Sequence, residues 1–391
     1  MNRTNLIRGL VILAIAGFFG YRYSQSGGML YLLLAAGFGL SGLLSAVNLL
    51  AAKWQNLLLN LGISLFFLDF VFAEIEWDKF MQALVQANYL WLIPSTIFVA
   101  IHIYFRALRW QWLLKPIGDV SFWPACRALL IGITGNVVLP ARAGEFIRAY
   151  VIGRSTGVSK TGAFATLVVE RIFDGLTVLL VLLGVIIFGI HNEDLQRAGM
   201  LGGVFYLGAL GALFLFMAKR HWADAVVHRL LPHKLADTAM GILDGFTSGL
   251  TVLKNPRMLA MVFIYNTLAW AAIPISFYFA LLAFDFGSPV PWSAAILMLP
   301  AMALALTIPG APAGVGLVQF AVKLTLDTTF AGLPLAADFA EKVAAASLLI
   351  HISQFGPEVI AGVISFMYEG LSTSDIKAGQ QLADDTAAPA A

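Results

Sequence analysis

The sequence predicts an all-α, polytopic integral membrane protein, and two observations support this. Hydrophobic residues make up 60% of the 391 positions and charged residues only 12%, so a water-soluble fold could not bury the apolar surface. Stretches almost without charge, such as residues 29–50 and 258–283, match the roughly 20 residues that a helix needs to cross about 30 Å of hydrocarbon. They do not alternate apolar and polar residues as the strands of a membrane barrel do.

Apolar runs place about eight spanning helices along the chain. They cover residues 6–22, 29–50, 57–73, 89–107, 163–190, 199–217, 258–283 and 341–366. Lys and Arg are concentrated in residues 106–127 and 219–257, and loops rich in these cations stay in the cytoplasm. This rule places the protein in the cytoplasmic (inner) membrane with both termini in the cytoplasm.

Two further apolar segments are predicted to be re-entrant helical hairpins. Residues 128–139 are too short to cross the bilayer, and residues 293–330 are interrupted by a run of Pro and Gly. Since broken backbone at membrane depth needs protein or water around it, two such segments indicate a transporter-like site. The alternative is an ordinary interfacial helix and an ordinary loop. The residues expected to break the hairpins are Pro140, Gly144, Pro309, Gly310, Gly314 and Gly316.

Small and aromatic residues give weaker predictions. Gly37, Ser41 and Ser45 recur every four positions in the second helix, which predicts close helix packing, either within the chain or in a homodimer. Trp110 and Trp112, which lie close to Lys and Arg, are typical of an aromatic belt at the membrane interface.

Charged residues set against apolar sequence form the densest candidate site. A charged side chain at the centre of a spanning helix costs roughly 2.5–3.5 kcal/mol, so these groups must face protein, water or a ligand. Two interpretations stay open: an ion-pair network in which three arginines neutralise three carboxylates, and a binding site in which guanidinium groups grip a phosphate. The six residues are Arg142, Glu145, Arg148, Glu170, Arg171 and Asp174.

Several other classes of function find no support in the sequence. The net charge of +2 and the lack of a basic patch interleaved with aromatic residues argue against nucleic acid. His221, His228 and His233 match no metal motif, and there is no nucleotide fingerprint. We therefore predict no metal, no cofactor and no nucleic-acid partner. An enzyme with Glu145, Glu170 or Asp174 as general base is kept as an alternative.

At these charged residues the chain resembles the lysylphosphatidylglycerol synthase transmembrane family, also called flippase-like domain proteins. This family includes the membrane half of the bacterial multiple peptide resistance factor. The likeness runs from about residue 56 to 366. It is found in Arg106-Ala-Leu-Arg109-Trp110, in the string from Asn136 to Arg148, in Glu170-Arg171 with Asp174, and in the break from Pro309 to Gly316.

The resemblance implies binding of a lipid head group and, in some members, movement of the lipid between leaflets. It also implies two re-entrant hairpins that meet in a central cavity. Ala313, Gln319 and His351 depart from the family's usual pattern, which puts the second hairpin's chemistry in question. By matching position, the implied substrate-binding residues are Asn136, Arg142, Glu145, Arg148, Glu170, Arg171 and Asp174.

The leading hypothesis is therefore a flippase-type transporter of a phospholipid or polyprenyl-linked lipid with an anionic or zwitterionic head group. The alternatives are a membrane-embedded transferase acting on a lipid phosphate, and a non-transporting partner in an envelope-synthesis complex. We divide the chain into an N-terminal two-helix extension (residues 1–55), a flippase-like transmembrane domain (56–368) and a disordered cytoplasmic tail (369–391).

Overall fold

The protein is described by a computed structural model that covers residues 3–139, 143–187, 250–307, 312–372, 374–376 and 378–379, with a few single positions between 204 and 248. Several predictions fall outside these residues. They concern Arg142, the breaks at Pro140, Pro309 and Gly310, most of the span at 199–217, and the end of the tail.

Twelve α-helices have both ends in the described residues, where no strand occurs. They are α1 (Arg3–Ser26), α2 (Met29–Ala46), α3 (Ala52–Phe72), α4 (Trp77–Gln86), α5 (Leu92–Leu114), α6 (Phe122–Val138), α7 (Gly144–Thr156), α8 (Lys160–Ile187), α9 (Pro256–Leu281), α10 (Trp292–Ala305), α11 (Leu317–Thr329) and α12 (Phe339–Tyr368). Short 3-10 turns occupy Tyr89–Trp91, Thr251–Lys254 and Pro312–Gly314.

Six segments of the described chain are long and apolar enough to cross a membrane. They are Thr4–Ser26, Met29–Ala46, Ala52–Phe72, Tyr89–Leu114, Pro256–Leu281 and Phe339–Tyr368. The helices α6 and α10 are apolar but shorter. The described chain is thus an all-α, multi-pass membrane protein, as predicted. Its fourth apolar segment runs to Leu114, seven residues beyond the predicted end, and so includes Arg106 and Arg109.

The chain divides into two compact units, and the first comprises Met1–Ala87, Phe284–Pro289 and Ala301–His351. In this unit α1 and α2 pack closely: a Cβ on Gly42 would lie 2.7 Å from Leu13 Cγ, and one on Gly9 would lie 2.8 Å from the Ala46 amide. Ser45 is fully buried, as the small-residue pattern predicts. Gly37 is exposed, with nothing within 4 Å of its Cβ position. The close contact is therefore intramolecular, and a homodimer stays a prediction.

The first unit also contains the second predicted break. The φ angles of Ala313, Gly314 and Gly316 are +60°, +71° and +88°. Gly316 is needed there, since a Cβ would lie 2.4 Å from the carbonyl oxygen of Ser64. The Gln319 side chain accepts a hydrogen bond from the Gly316 amide at 2.7 Å, and its amide nitrogen lies 2.9 Å from Nδ1 of His351. The departures at Gln319 and His351 thus form a neutral hydrogen-bonded pair that caps α11.

The second unit comprises Asn88–Ala283, Val290–Pro300 and Ile352–Ala391. Its first hairpin is formed by α6 and α7, which meet through glycines. A Cβ on Gly144 would lie 1.9 Å from the carbonyl oxygen of Gly132, and one on Gly135 would lie 2.8 Å from the Gly144 Cα. Without side chains at these positions the two helices can approach to backbone contact, which places the first turn of α7 beside the last turns of α6.

Several described residues of the predicted tail, 369–391, contact the rest of the second unit. Glu369 forms an ion pair with Arg127 at 2.5 Å, and Asp375 forms one with Arg154 at 2.7 Å. Ile376 packs against the same apolar cluster that includes residues of α7. The tail therefore follows the first hairpin up to residue 379, because its acidic and apolar residues find partners there.

Candidate functional site

The candidate site lies within the second unit, where α5, α7, α8 and α9 present charged and polar side chains to one another. Glu170 lies ten residues into α8 and Asn266 ten residues into α9. At 1.5 Å per residue both are about 15 Å from the beginnings of their helices. That is about half the thickness of a hydrocarbon core, so these groups need partners inside the protein.

Glu170 is the centre of the site. Its side chain is fully buried, and its Oε1 lies 3.0–3.1 Å from guanidinium nitrogens of four arginines. One comes from α7, two from α5 and one from α8 itself. Its other oxygen, Oε2, has no hydrogen-bond partner among the described residues. The four arginines are Arg106, Arg109, Arg148 and Arg171.

Arg109 is fully buried and bridges the two carboxylates of α8. Its Nη2 lies 3.1 Å from Glu170 and its Nη1 donates to Asp174 at 2.6 Å and to the Asn266 side-chain oxygen. Trp270 of α9 donates to the same Asp174 oxygen at 2.8 Å. Arg109 therefore holds α5, α8 and α9 together, and its own role is structural.

Arg148 is 3% exposed and lies over the ring of Trp110, with 3.7 Å between the guanidinium carbon and the ring centroid. Trp110 in turn donates to Thr166 at 3.0 Å and is fully buried. The prediction that Trp110 belongs to an interfacial belt is wrong, because this ring is a stacking platform inside the unit. The stacking fixes the plane of the Arg148 guanidinium.

Arg171 and Glu145 lie on the more open side of the cluster. Arg171 is 43% exposed and contacts Glu170 at 3.0 Å, Asp174 at 3.2 Å and Glu145 at 3.5 Å. The predicted pairing of Arg171 with Asp174 is present. Glu145 and Arg148, three apart on α7, both face carboxylate or guanidinium groups of α8, as their spacing predicts.

An open pocket of about 200 Å³, counting the part open to solvent, lies beside this cluster. Its polar lining comes from α5, from both arms of the first hairpin and from α8. Several polar atoms of these lining residues are buried and find no hydrogen-bond partner in the described chain: Nε of Arg106, Nε and Nη2 of Arg148, and Oδ1 of Asn136. The lining residues are Arg106, Leu129, Gly132, Ile133, Asn136, Gly144, Glu145, Arg148 and Arg171.

The first turn of α7 adds donors to this pocket. Gly144 and Glu145 line it, and the residue that caps α7, Ala143, offers no side-chain hydrogen bond. The first backbone amides of a helix have no partner within the helix, and the helix dipole favours an anion there. Among the described residues, the pocket thus combines guanidinium nitrogens that lack a partner with a helix N-terminus that no N-cap side chain covers.

A comparison with protein families agrees with this arrangement. The sequence profile of the family described as lysylphosphatidylglycerol synthase TM region matches residues 57–362, which is most of the chain. The chain belongs to this family. The match begins at α3 and ends within α12, so α1, α2 and the tail lie outside it.

Three curated relatives show how far the likeness extends. The chain is 27% identical over 295 residues to the glycosyltransferase AglD of Haloferax volcanii, which covers 67% of this chain and 46% of AglD. It is 30% identical over 115 residues to a UPF0104 membrane protein of Methanocaldococcus jannaschii, covering 29% of this chain and 34% of that one. It is 22% identical over 286 residues to a UPF0104 membrane protein of Pyrococcus horikoshii, and this match covers 68% of this chain and 84% of that protein. The chain therefore spans about half the length of AglD.

Of the seven substrate-binding residues predicted for this family member, six are described and lie together. The pocket is lined by Asn136, Glu145, Arg148 and Arg171. Glu170 and Asp174 do not line it but form ion pairs with these arginines. Arg142 lies outside the described residues. Sequence reasoning did not place Arg106, Arg109, Asn266 or Trp270 in the cluster. The sequence did contain one signal for this cluster: Arg106 and Arg109 are three residues apart inside one spanning helix.

His102 is buried in α5, and its Nδ1 lies 2.8 Å from the carbonyl oxygen of Ala269 in α9. It thus makes the polar contact between helices that is common for histidines in spans.

Proposed function

We propose that this protein binds the anionic head group of a membrane lipid in the pocket between α5, α6, α7 and α8 and moves that lipid between leaflets. The observation that carries the proposal is the surplus of donors. Among the described residues, four guanidinium groups surround a cluster with three carboxylates, Glu145, Glu170 and Asp174. Three of the four arginines keep buried nitrogens without a partner in the described chain, and two of these three, Arg106 and Arg148, line the pocket. Buried donors of this kind are costly unless a ligand satisfies them.

A phosphate group suits these donors. Guanidinium groups bind phosphate oxygens through paired, charge-assisted hydrogen bonds, and the first amides of α7 supply further donors. The pocket is open on one side, so a head group that binds its lining would leave the acyl chains in the bilayer. The function would thus lie in lipid or lipid-linked glycan processing, in agreement with the family and with the name glycosyltransferase given to AglD.

Transfer by purified full-length protein in lipid vesicles tests this function. Fluorescent phosphatidylglycerol and a fluorescent polyprenyl phosphate serve as probes, and the fraction that a membrane-impermeant quencher reaches reports transfer. We expect wild-type protein to accelerate transfer of at least one probe, and Arg148→Gln to slow it by about tenfold or more, since removal of one buried guanidinium costs at least 1.4 kcal/mol of binding. Arg257→Gln, on an exposed position of α9, should transfer at the wild-type rate.

Three outcomes would contradict this proposal. Absence of transfer for both probes, with binding retained, would make the protein a head-group-binding partner in an assembly complex. Conversion of a probe to a new compound would make it a transferase. Equal transfer by wild type and Arg148→Gln at equal abundance would show that the pocket is not the site. We propose the inner membrane, with cytoplasmic termini, as its location, which follows from the distribution of Lys and Arg.

A further inference from the structure

A fourth carboxylate, Glu358 of α12, belongs beside the pocket although it is absent from the ion-pair cluster. It lies near the middle of a spanning segment, Phe339–Tyr368, and is partly buried. Arg106 is the charged residue of α5 that lines the pocket, but within the described chain no basic nitrogen is within ion-pair distance of the Glu358 oxygens. An ionisable residue at such a depth without a close partner indicates a functional group.

The packing of α12 on α6 fixes the direction in which Glu358 points. Glu358, Gly362 and Glu369 lie four and seven residues apart, so they share one face of α12. Glu369 pairs with Arg127 of α6 at 2.5 Å. At Gly362 a Cβ would lie 1.9 Å from Oγ1 of Thr134 and 2.5 Å from the carbonyl oxygen of Leu130, so that face rests directly on α6.

The register of these contacts carries Glu358 to the tip of the first hairpin. The two helices are antiparallel. Glu369 of α12 contacts Arg127 of α6, and Gly362, seven residues earlier in α12, contacts Thr134, seven residues later in α6. One further turn brings Glu358 opposite the C-terminal end of α6, which ends at Val138. Asn136, on that last turn, lines the pocket. Glu358 therefore lies on the face of α12 that packs on α6, at the level of the turn of α6 that lines the pocket.

Few other charges act on this position. Arg127 is the charged residue of α6, and it pairs with Glu369, about 16 Å along α12 from Glu358. From α5 the facing charge is Arg106, which also pairs with Glu170 at 3.1 Å. The Nε of Arg106 is buried without a hydrogen-bond partner among the described residues. Glu358 and a bound anion would thus share the attraction of one guanidinium group.

We propose that Glu358 is a proton-binding site, and that it takes up a proton when an anionic head group enters the pocket and releases it when the head group leaves. This rests on the proposed function and adds a coupled ion to it. With Glu358 ionised, the described residues of the empty site balance four arginines against four carboxylates. With a singly charged anion bound and Glu358 protonated, the balance is again four to four. Both states avoid an uncompensated charge at membrane depth, which is costly.

The coupling has a definite sign. An ionised Glu358 repels an incoming anion and competes for Arg106, whereas a protonated one does neither. Anion affinity is therefore higher at low pH and falls as the pH rises. By reciprocity, the bound anion makes protonation of Glu358 more favourable. A proton gradient across the membrane would then bias the direction of lipid movement.

Binding of dihexanoyl phosphatidylglycerol to purified full-length protein tests this proposal between about pH 5.5 and 8.5. This phosphodiester keeps one negative charge over the whole range, so the ligand itself does not titrate. For wild type we expect affinity to fall by about tenfold or more across the range. Glu358→Gln should bind at every pH about as tightly as wild type does at low pH. Glu369→Gln, on the same face of α12, should keep the wild-type pH dependence.

A second measurement does not depend on any variant. Binding of the same lipid to wild-type protein in weakly buffered solution should consume up to one proton per ligand, which a pH-indicator dye records. A wild-type pH dependence in Glu358→Gln, or binding without proton uptake at every pH, would overturn the role of Glu358 and leave the pocket standing. Absence of binding at every pH in wild type and in both variants would overturn the proposed function itself, and Glu358's role with it.

Discussion

At the scale of single residues, the site separates groups that hold the structure from groups that face the pocket. Arg109 is fully buried and joins Glu170 and Asp174, and it does not line the pocket. Arg109 and Arg148 each keep two buried nitrogens without a partner in the described chain, but only Arg148 lines the pocket. The same residue type therefore serves two purposes, and substitutions should distinguish them.

For Arg109 we predict a loss of stability that a second substitution reverses in part. Arg109→Met removes the fully buried cation closest to Asp174 and leaves that carboxylate with the partly exposed Arg171 at 3.2 Å. Removing one partner of a buried ion pair costs about 3–5 kcal/mol. Adding Asp174→Asn removes the carboxylate charge, so the double variant should unfold at a higher temperature than Arg109→Met alone. Thermal unfolding of the purified variants in detergent measures this. Strictly additive losses would show that the two residues do not interact.

The site residues that sequence reasoning found share one property: they stand in the middle of apolar sequence, so their charge is conspicuous. Arg106 and Arg109 were treated as part of a cytoplasmic loop, because positive charge near the end of an apolar run usually marks the membrane surface. In the structure α5 continues to Leu114, so both arginines are inside the span. Asn266 and Trp270 are uncharged and gave no signal before their partners were known.

At the scale of helices, the first hairpin depends on glycines that allow backbone contact. The sequence predicted a break near Gly144. It did not predict which residue of α6 would contact α7, because the distance between two helices depends on both segments and cannot be read from one of them. Gly132 and Gly144 meet so closely that a Cβ on Gly144 would lie 1.9 Å from the Gly132 carbonyl oxygen. Both the hairpin and the pocket that it lines therefore require glycine at position 144.

We predict opposite effects for two Gly→Ala substitutions. Ala favours a helix over Gly by about 0.5–1 kcal/mol, so Gly184→Ala in α8, where nothing lies within 4 Å of the Cβ position, should be neutral or slightly stabilising. Gly144→Ala should destabilise by about 1–3 kcal/mol or more, since the Cβ forces α6 and α7 apart. Membrane abundance and thermal unfolding report both. If Gly144→Ala is as stable as wild type, the two helices do not pack as described.

At the scale of the whole molecule, the family match from residue 57 to 362 leaves both ends of the chain unexplained by the family. At the N-terminal end, Arg22 and Tyr31 contact Asp69 at 2.9 Å and 2.6 Å, so the extension is joined to α3, inside the match. At the C-terminal end, composition predicted disorder because Ser, Thr, Asp and Ala supply little apolar area. That reasoning neglected Leu371 and Ile376, which pack on an apolar cluster of the second unit.

The tail supplies a prediction about truncation. Ending the chain after Tyr368 removes Glu369, Leu371, Asp375 and Ile376, and with them the contacts to Arg127, Arg154 and the cluster around α7. The two partly buried apolar side chains account for about 1–3 kcal/mol of stability, so this truncation should unfold at a lower temperature than the full chain.

Ending the chain after Gly379 is the matched control, since every described contact of the tail is kept, and this protein should unfold like the full chain. The hydrogen bonds of Ser372 to Asp375 hold the pKa of that carboxyl below its ordinary value, so the pair with Arg154 persists at neutral pH and is lost only as the pH falls through that lowered pKa. The difference in unfolding temperature between the two truncations should therefore be larger at neutral pH than in acid. Equal unfolding of both truncations at neutral pH would mean that residues 369–379 contribute nothing to the fold.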